Sequence, residues 1–237
     1  RAEINWNDWG YAGWTNDSCT AFPALTCLAA SWNPLLAEKY GYAIGEEARY
    51  REKDVLLGPG VNIYRTPLNG RNFEYMGEDP YLASELCVPY IQGVQKNGVA
   101  ACVKHYALNN QELWRGHIDV QLSDRALYEI YLPAFKAAVE RGKTWSVMGA
   151  YNKVRGTHAT HHKLLNNDIL KGEWNFDGCV ITDWGAAHDT YEAAMYGLDI
   201  EMGSYTNGLT SESEFGFDDY YLGKSYLKMV REGKIPM

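Results

Sequence analysis

The stretch of sequence that decides the fold is GCVITDWGA, residues 178–186. The apolar run at 179–181 lacks alternation, which is typical of a strand buried on both faces of a parallel sheet. Asp183 follows where this strand would end, and Trp184 is placed to form an apolar wall beside it. The sequence alone leaves two roles open for Asp183: it caps the next helix, or it is a carboxylate placed for chemistry at a strand end.

A rhythm of strand, loop and helix extends from this stretch along the whole chain. We predict strands at 54–60, 99–103, 145–150, 179–181 and 198–202, and helices at 34–51, 80–97, 123–141, 162–172 and 218–233. Residues 1–33 are predicted to be irregular, and Pro89 and Pro133 are predicted to kink or interrupt their helices. The rhythm predicts an α/β fold with a parallel sheet. Long polar loops after successive strands favour a TIM-type (β/α) barrel, incomplete in this chain because fewer than eight strands are recognisable.

Length, charge and motifs restrict the class of protein. The 237 residues can bury one large core, and the net charge of −8 (22 basic against 30 acidic residues) argues against a nucleic-acid or membrane partner. No Gly-x-Gly-x-x-Gly motif follows a strand, and the five cysteines show no metal-ligand pattern, so neither a cofactor nor a metal is expected. Buried free thiols are the default prediction for these cysteines, and a disulfide between Cys19 and Cys27 stays open.

Polar side chains recur at or after the predicted strand ends. They are Arg71, Lys104, His105, Arg115, Tyr151 and Asp183, with Met148 and Trp184 as apolar neighbours. In a barrel such positions converge on one mouth, where bases and donors around one carboxylate would suit a polyhydroxylated ligand. Each residue also has a structural alternative. Arg71 could pair with Glu74 or Asp183, Lys104 could pair with a nearby acid, and His105 could be a buried core histidine.

Five segments together resemble glycoside hydrolase family 3, in its β-glucosidase-like branch. They are GRNFE at 70–74, GEDP at 77–80, VKHY at 103–106, MGAYN at 148–152 and ITDW at 181–184. The resemblance runs from about residue 21 to residue 236, with the motifs in the family's order and spacing. It implies exo-acting release of a terminal glycosyl unit, by a retaining mechanism, from an oligosaccharide or an aryl or alkyl β-glycoside.

The resemblance also implies a role for each matching residue. Asp183 matches the family nucleophile, Trp184 packs beside the sugar, and Met148 matches a wall position. The residues that match positions holding sugar hydroxyls are Arg71, Lys104, His105, Arg115 and Tyr151. A nucleophilic carboxylate must be ionised, and we expect the opposite charges of Lys104 and Arg71 to favour that form of Asp183.

The chain departs from the family pattern in two ways. The family's Asp-Gly-Pro segment, whose Asp binds sugar hydroxyls, is absent, and Asp8-Trp9-Gly10 is a poor substitute. In most of the family the acid/base glutamate lies in a second α/β-sandwich domain. We therefore expect residues 1–237 to form most of one barrel domain, without that second domain, which would be supplied by the same chain or a partner chain. Among the acids present, Glu112 is the strongest remaining candidate for the acid, and residues 1–237 alone are expected not to hydrolyse cellobiose.

Several alternatives remain open at this stage. A β-xylosidase or a β-N-acetylglucosaminidase of the same family would share much of the pattern. The second of these usually continues Lys-His with Phe-Pro-Gly-His-Gly, whereas here the continuation is YALNNQE at 106–112. A non-catalytic carbohydrate-binding fragment is the alternative from another class. The sugar, the linkage and the oligomeric state are not determined by the sequence, and export from a bacterium is implied by the resemblance alone.

Overall fold

The computed structural model describes residues 19–202 and 220–236. The strands are β1 (Val55–Leu56), β2 (Ala100–Tyr106), β3 (Asp119–Val120), β4 (Ser146–Gly149), β5 (Lys153–Val154), β6 (Thr157–His158) and β7 (Cys179–Thr182). Four of them form a parallel sheet in the order β1-β2-β4-β7, and the other three form a small sheet in the order β3-β5-β6. The predicted α/β fold with a parallel sheet is therefore confirmed.

Helices connect and cover the strands. The α-helices are α1 (Leu25–Ala30), α2 (Pro34–Tyr50), α3 (Pro80–Gln95), α4 (Asp124–Ala126), α5 (Pro133–Glu140), α6 (Thr190–Met195) and α7 (Tyr226–Arg231). Wider π-helical turns occupy Leu127–Tyr131, Leu164–Glu173 and Tyr221–Ser225, and short 3₁₀ turns occupy Asn72–Glu74 and Ala159–His161. No helix of the described residues is long and apolar enough to cross a membrane.

Local sequence explains where the principal helices begin. Asn33 accepts a hydrogen bond from the backbone N–H of Leu36 at the start of α2, and a proline occupies the first turn. Asp79 does the same at the start of α3, accepting from the N–H of Tyr81 at 2.8 Å, so the predicted helix start at 78–80 is confirmed. Ser123 caps α4 by accepting from the N–H of Ala126, as predicted.

Successive residues of the sheet strands face two different apolar clusters. Val103, Val147 and Val180 belong to the large core that includes the buried faces of α3 and α5. Cys102, Met148 and Ile181, one position away on the same strands, form a smaller cluster with Met202 packed against it. The sheet is thus buried on both sides, as the unbroken apolar run predicted.

Helices α2 and α3 approach each other closely through glycines. A Cβ atom on Gly41 would lie 2.1 Å from the carbonyl oxygen of Tyr90, and one on Gly93 would lie 2.3 Å from that of Glu38. Such distances are far inside van der Waals contact, so the absent side chains are what allow the two backbones to meet. This pair of helices forms the outer wall behind β1 and β2.

Several predicted boundaries differ in the structure. The strand predicted at 99–103 extends to Tyr106, and the strand predicted at 198–202 is reduced to a single parallel bridge between Ile181 and Ile200. Helix α3 continues through Pro89, so the predicted interruption there is wrong, whereas the helix predicted at 123–141 is divided ahead of Pro133. Helix α1 lies inside the region predicted to be irregular, whose residues 1–18 fall outside the described part.

The cysteines and the sheet edges also refine the sequence analysis. All five cysteines are free thiols, so the open Cys19–Cys27 disulfide is not formed. Only Cys87 and Cys102 are buried, so the predicted burial is wrong for Cys19, Cys27 and Cys179, which are exposed. Within residues 19–202 and 220–236 the parallel sheet does not close into a barrel.

Candidate active site

Asp183 lies directly beyond the carboxyl end of β7, and its side chain is 14% exposed. Its backbone N–H donates to the carbonyl oxygen of Gly149 on the neighbouring strand β4 at 3.3 Å. Its Oδ1 accepts a hydrogen bond of 2.9 Å from the hydroxyl of Tyr151. The next helix, α6, is capped by Asp189 and not by Asp183, so the capping role left open by the sequence is wrong.

His105 lies on β2, which β4 separates from β7 in the sheet, and it is 1% exposed. Its backbone is fixed on both sides by Asn62, whose amide accepts from the His105 N–H at 2.8 Å and donates to the His105 carbonyl at 2.9 Å. Its ring Nε2 lies 3.1 Å from Nη2 of Arg71 and 3.5 Å from Oδ2 of Asp183. The predicted neighbourhood of His105, Arg71 and Asp183 is therefore present.

The protonation of His105 follows from its partners. Guanidinium groups only donate, so Nε2 accepts from Arg71, and the neutral ring carries its proton on Nδ1, which lies 3.0 Å from the hydroxyl of Tyr75. Burial, with the nearby charges of Arg71, Lys104 and Arg115, holds the pKa of His105 well below its usual value. His105 is thus a neutral group beside Asp183 and does not form an ion pair with it.

Glu74 contacts two of the residues predicted to bind the sugar, Arg71 and Lys104. Its carboxylate accepts two hydrogen bonds of 2.8 Å from Arg71, and Nζ of Lys104 lies 3.2 Å from Oε1. Burial raises the pKa of Glu74, but Arg71 and Lys104 outweigh it and leave the pKa below the usual value. Glu74 is therefore ionised and poorly suited to donate a proton. The structural ion pair between Arg71 and Glu74 is confirmed, and it leaves the guanidinium beside Asp183.

Arg115 contacts two further residues of the site, Tyr151 and Glu112. Its guanidinium carbon lies 4.2 Å from the centroid of the Tyr151 ring, a cation–π arrangement. Its Nη1 also donates to Glu112 at 2.8 Å, and the same carboxylate lies 3.8 Å from Nη1 of Arg71. Glu112, the remaining candidate for the acid, is thus held between two guanidinium groups.

The two predicted apolar residues lie in different environments. Trp184 is 38% exposed beside Asp183, where it can form a wall of an open site. Met148 is 2% exposed and packs with Cys102 and Ile181 inside the sheet. Its assignment as a wall of the sugar site stays a prediction.

Burial and the nearby cations act on Asp183 in opposite directions. Burial raises the pKa of this carboxyl, while the Tyr151 hydrogen bond and the charges of Arg115, Arg71 and Lys104 lower it without overcoming the burial. The cations thus act in the expected direction, while burial leaves the pKa of Asp183 above its usual value. Asp183 is therefore a carboxylate with little contact with water.

Sequence reasoning missed two supports of the site. Tyr75 is 1% exposed and contacts the His105 ring, and Asn62 is 3% exposed and clamps the His105 backbone. Asn62 stands alone as a polar residue in GVNIY, residues 60–64, which is the one signal that could have marked it. Among the residues that the structure describes, no group of three His, Cys, Asp or Glu side chains is arranged to hold a metal ion.

The fold and the site define an α/β protein with a largely enclosed carboxylate, Asp183, near several cations at the carboxyl ends of parallel strands. Residues 8–202 match the family described as glycosyl hydrolase family 3 N terminal domain. The chain belongs to this family, which confirms the resemblance inferred from the five sequence motifs.

Similar proteins of known name carry the comparison further. The chain is 98% identical over all 237 residues to beta-glucosidase BoGH3A of Bacteroides ovatus, of which it covers 32%. It is 47% identical over 91% of its length to thermostable beta-glucosidase B of Acetivibrio thermocellus, of which it covers 27%. Among solved structures, beta-glucosidase 3B of Thermotoga neapolitana in complex with alpha-D-glucose matches 93% of this chain and 30% of its own, with a TM-score of 0.83 and 41% identity. The chain thus spans about a third of the length of these relatives.

Proposed function

We propose that this chain carries the nucleophile and the glycosyl-binding half of a retaining β-glycosidase, one that releases terminal β-glucosyl units. One observation carries the proposal. Asp183 stands at the carboxyl end of a buried parallel strand, bonded to Tyr151 at 2.9 Å and faced by Arg71, Lys104 and Arg115. The names of the relatives from Bacteroides ovatus and Acetivibrio thermocellus support glucose as the glycosyl unit.

The proposed mechanism has two steps. An oxygen of Asp183 attacks the anomeric carbon and forms a glycosyl ester while the bond to the leaving oxygen breaks, and that oxygen takes a proton from a general acid. A water molecule, losing its proton to the same group, then attacks the anomeric carbon and releases the sugar and the carboxylate. The cations Arg71, Lys104 and Arg115 bind sugar hydroxyls and so hold the anomeric carbon against Asp183.

The position of the acid is part of the proposal. Glu74 and Glu112 are both held by guanidinium groups, which disfavours either as the proton donor. A retaining enzyme needs a second carboxyl group roughly 5–5.5 Å from the nucleophile. We place it in a further domain, in keeping with a chain that covers 32% of its Bacteroides ovatus relative. In that complete protein the parallel sheet would close into the barrel predicted from sequence.

The test is covalent trapping in the complete protein. A 2-deoxy-2-fluoro-β-glucoside with a good leaving group should form a stable ester, and mass spectrometry of the digested protein should locate it on Asp183. Asp79→Asn is the matched control, because this carboxylate caps α3 and should leave labelling intact. A label on any other residue would overturn the assignment of the nucleophile.

A second substrate deserves a direct comparison. An exo-alpha-(1->6)-L-arabinopyranosidase of Bifidobacterium longum is 47% identical over 79% of this chain, about as similar as the Acetivibrio enzyme. Its name supports a pentopyranoside as the alternative glycosyl unit. Rates on 4-nitrophenyl β-D-glucopyranoside, β-D-xylopyranoside and α-L-arabinopyranoside, measured side by side, decide between them. A higher kcat/KM on either pentoside than on the glucoside would overturn glucose as the preferred unit.

A further inference from the structure

Three histidines lie behind the site, between the segments that carry Tyr151 and Asp183. The hairpin of β5 and β6 turns at Arg155 and Gly156, which have φ of 49° and 97°, and it brings His158 back over residue 151. Nδ1 of the His158 ring lies 3.1 Å from the carbonyl oxygen of Tyr151. A carbonyl only accepts, so Nδ1 is the donor, and His158 fixes the backbone from which the Tyr151 side chain extends.

His158 is also joined to the segment that follows the nucleophile. Its ring stacks on the ring of His188, with centroids 3.7 Å apart and planes 21° from parallel. His188 comes five residues after Asp183 along the chain. The stacked rings therefore connect the segment after β4, which carries Tyr151, with the segment after β7, which carries Asp183.

His161 completes the connection from a buried position. Its Nε2 accepts a hydrogen bond of 3.2 Å from the backbone N–H of His188, and the residue is 1% exposed. Its Nδ1 lies 2.9 Å from Oε2 of Glu192 on α6, close but not aligned as a hydrogen bond. Burial beside His158 and His188 lowers the pKa of His161 to about 4, so near neutral pH Nε2 is free to accept.

Packing alone would account for buried aromatic rings, but it would not direct their polar atoms. Here two polar contacts end on the backbone of segments that carry site residues: Nδ1 of His158 on the carbonyl of Tyr151, and Nε2 of His161 on the N–H of His188. The adjacent His162 offers the contrast, since its Nε2 lies 3.0 Å from the carbonyl of Val154 in β5 and, within the described part of the chain, forms no hydrogen bond to Tyr151 or His188. We propose that His158, His161 and His188 are positioning residues that hold the Tyr151 hydroxyl on Asp183. The proposal rests on the proposed function, in which Asp183 is the nucleophile.

The test is steady-state kinetics of the complete protein on 4-nitrophenyl β-D-glucopyranoside. His158→Ala should lower kcat by about tenfold, because catalytic groups lose rate steeply when misplaced, with KM within about twofold. His158→Asn keeps an N–H donor near the position of Nδ1 and should recover part of the loss. His162→Ala is the matched control and should leave kcat within about twofold of the starting protein.

Two further measurements make the test specific. His188→Phe keeps the stacking ring and the backbone N–H, so its kcat should stay near that of the starting protein, whereas His188→Ala should lose rate as His158→Ala does. In a Tyr151→Phe background His158→Ala should have no further effect on kcat, because the hydroxyl that it positions is gone. Circular dichroism melting curves identify any variant that fails to fold, and His158→Asn and His188→Phe then carry the comparison.

The outcomes separate the inference from the proposed function. Equal losses from His158→Ala with and without the Tyr151 hydroxyl, or an unchanged kcat, would show that the histidines only pack. If at the same time Asp183→Asn is inactive, the proposed nucleophile stands and only the positioning role falls. If Asp183→Asn retains full turnover, the proposed function itself is overturned, and the inference falls with it.

Discussion

On the helix-covered side of the sheet, Val103, Val147 and Val180 are at most 1% exposed and belong to the large apolar core. At the carboxyl edge of the same strands, Lys104 and Asp183 belong to a cluster of charges within a few ångströms of one another. The first region is stabilised by close packing. The second holds a carboxylate whose burial raises its pKa, so its arrangement favours a reaction over stability.

The largest expected effect is the loss of activity on replacing Asp183, which is compared with the loss of stability on replacing Asp79. In the complete protein, Asp183→Ala should lower kcat at least roughly 1,000-fold, because removal of a nucleophile leaves only binding to accelerate the reaction. Asp79→Ala, which removes the cap of α3, should lower the free energy of unfolding by about 1 kcal/mol and leave kcat nearly unchanged. Hydrolysis of an aryl β-glucoside and thermal melting measure the two effects. Near-normal turnover by Asp183→Ala would contradict the contrast.

Lys104 tests the charged edge without touching the proposed nucleophile. Lys104→Ala should lower kcat/KM by a factor that corresponds to roughly 2–4 kcal/mol of lost transition-state stabilisation, since a buried charged hydrogen bond to a sugar hydroxyl is lost. The melting temperature should change little, because Glu74 keeps its two bonds to Arg71. Aryl glucosides with poor and good leaving groups are compared. Full rescue by the good leaving group would indicate that Lys104 acts as the acid.

The helix-covered region should respond in the opposite way. Gly41→Ala places a Cβ 2.1 Å from the carbonyl oxygen of Tyr90, and such overpacking should destabilise the fold by about 1–3 kcal/mol. The kcat of the folded protein should be unchanged, because α2 lies behind the sheet. Gly70→Ala is the control for stability, since nothing lies within 4 Å of its Cβ position. Equal melting temperatures for both variants would contradict the close approach of α2 and α3.

The smallest effects concern the pH dependence of stability, with opposite signs for two acids. Because the pKa of Asp183 is raised by folding, its negative charge lowers the stability of the fold at pH 7. This cost is absent below a pH of about 3.9, the pKa of an Asp side chain in the unfolded chain. Asp183→Asn should therefore raise the melting temperature at pH 7 by about 1–3 °C, an increase that disappears as the pH falls through the raised pKa.

The lowered pKa of Glu74 has the reverse consequence. Its negative charge stabilises the fold above a pH of about 4.3, the pKa of a Glu side chain in the unfolded chain. This contribution is lost as the pH falls through the lower pKa that Glu74 has in the folded protein. Glu74→Gln should lower the melting temperature at pH 7, with the difference shrinking only below about pH 4. Melting curves between pH 3 and pH 7 check both variants, and a common sign would contradict the assigned causes.

Much of the site was predictable because its residues stand in recognisable local patterns. The strand before Asp183, the helix start at 78–80 and the pair of Arg71 with Glu74 follow from neighbouring residues and their ordinary chemistry. The hairpin of β5 and β6 and helix α1 were missed, because two-residue strands and one-and-a-half-turn helices leave little periodicity to detect. The histidine cluster was missed because its members become neighbours only after the chain folds.

The sequence by itself determined the α/β class, the family, and the carboxylate and cations around which the site is built. Those features depend on residue identity and on spacing along the chain. Only the tertiary structure decided that Asp189 and not Asp183 caps α6, that His105 is neutral, and that burial outweighs three cations at Asp183. These outcomes depend on how completely each group is removed from water and on distances between residues far apart in sequence, which folding alone sets.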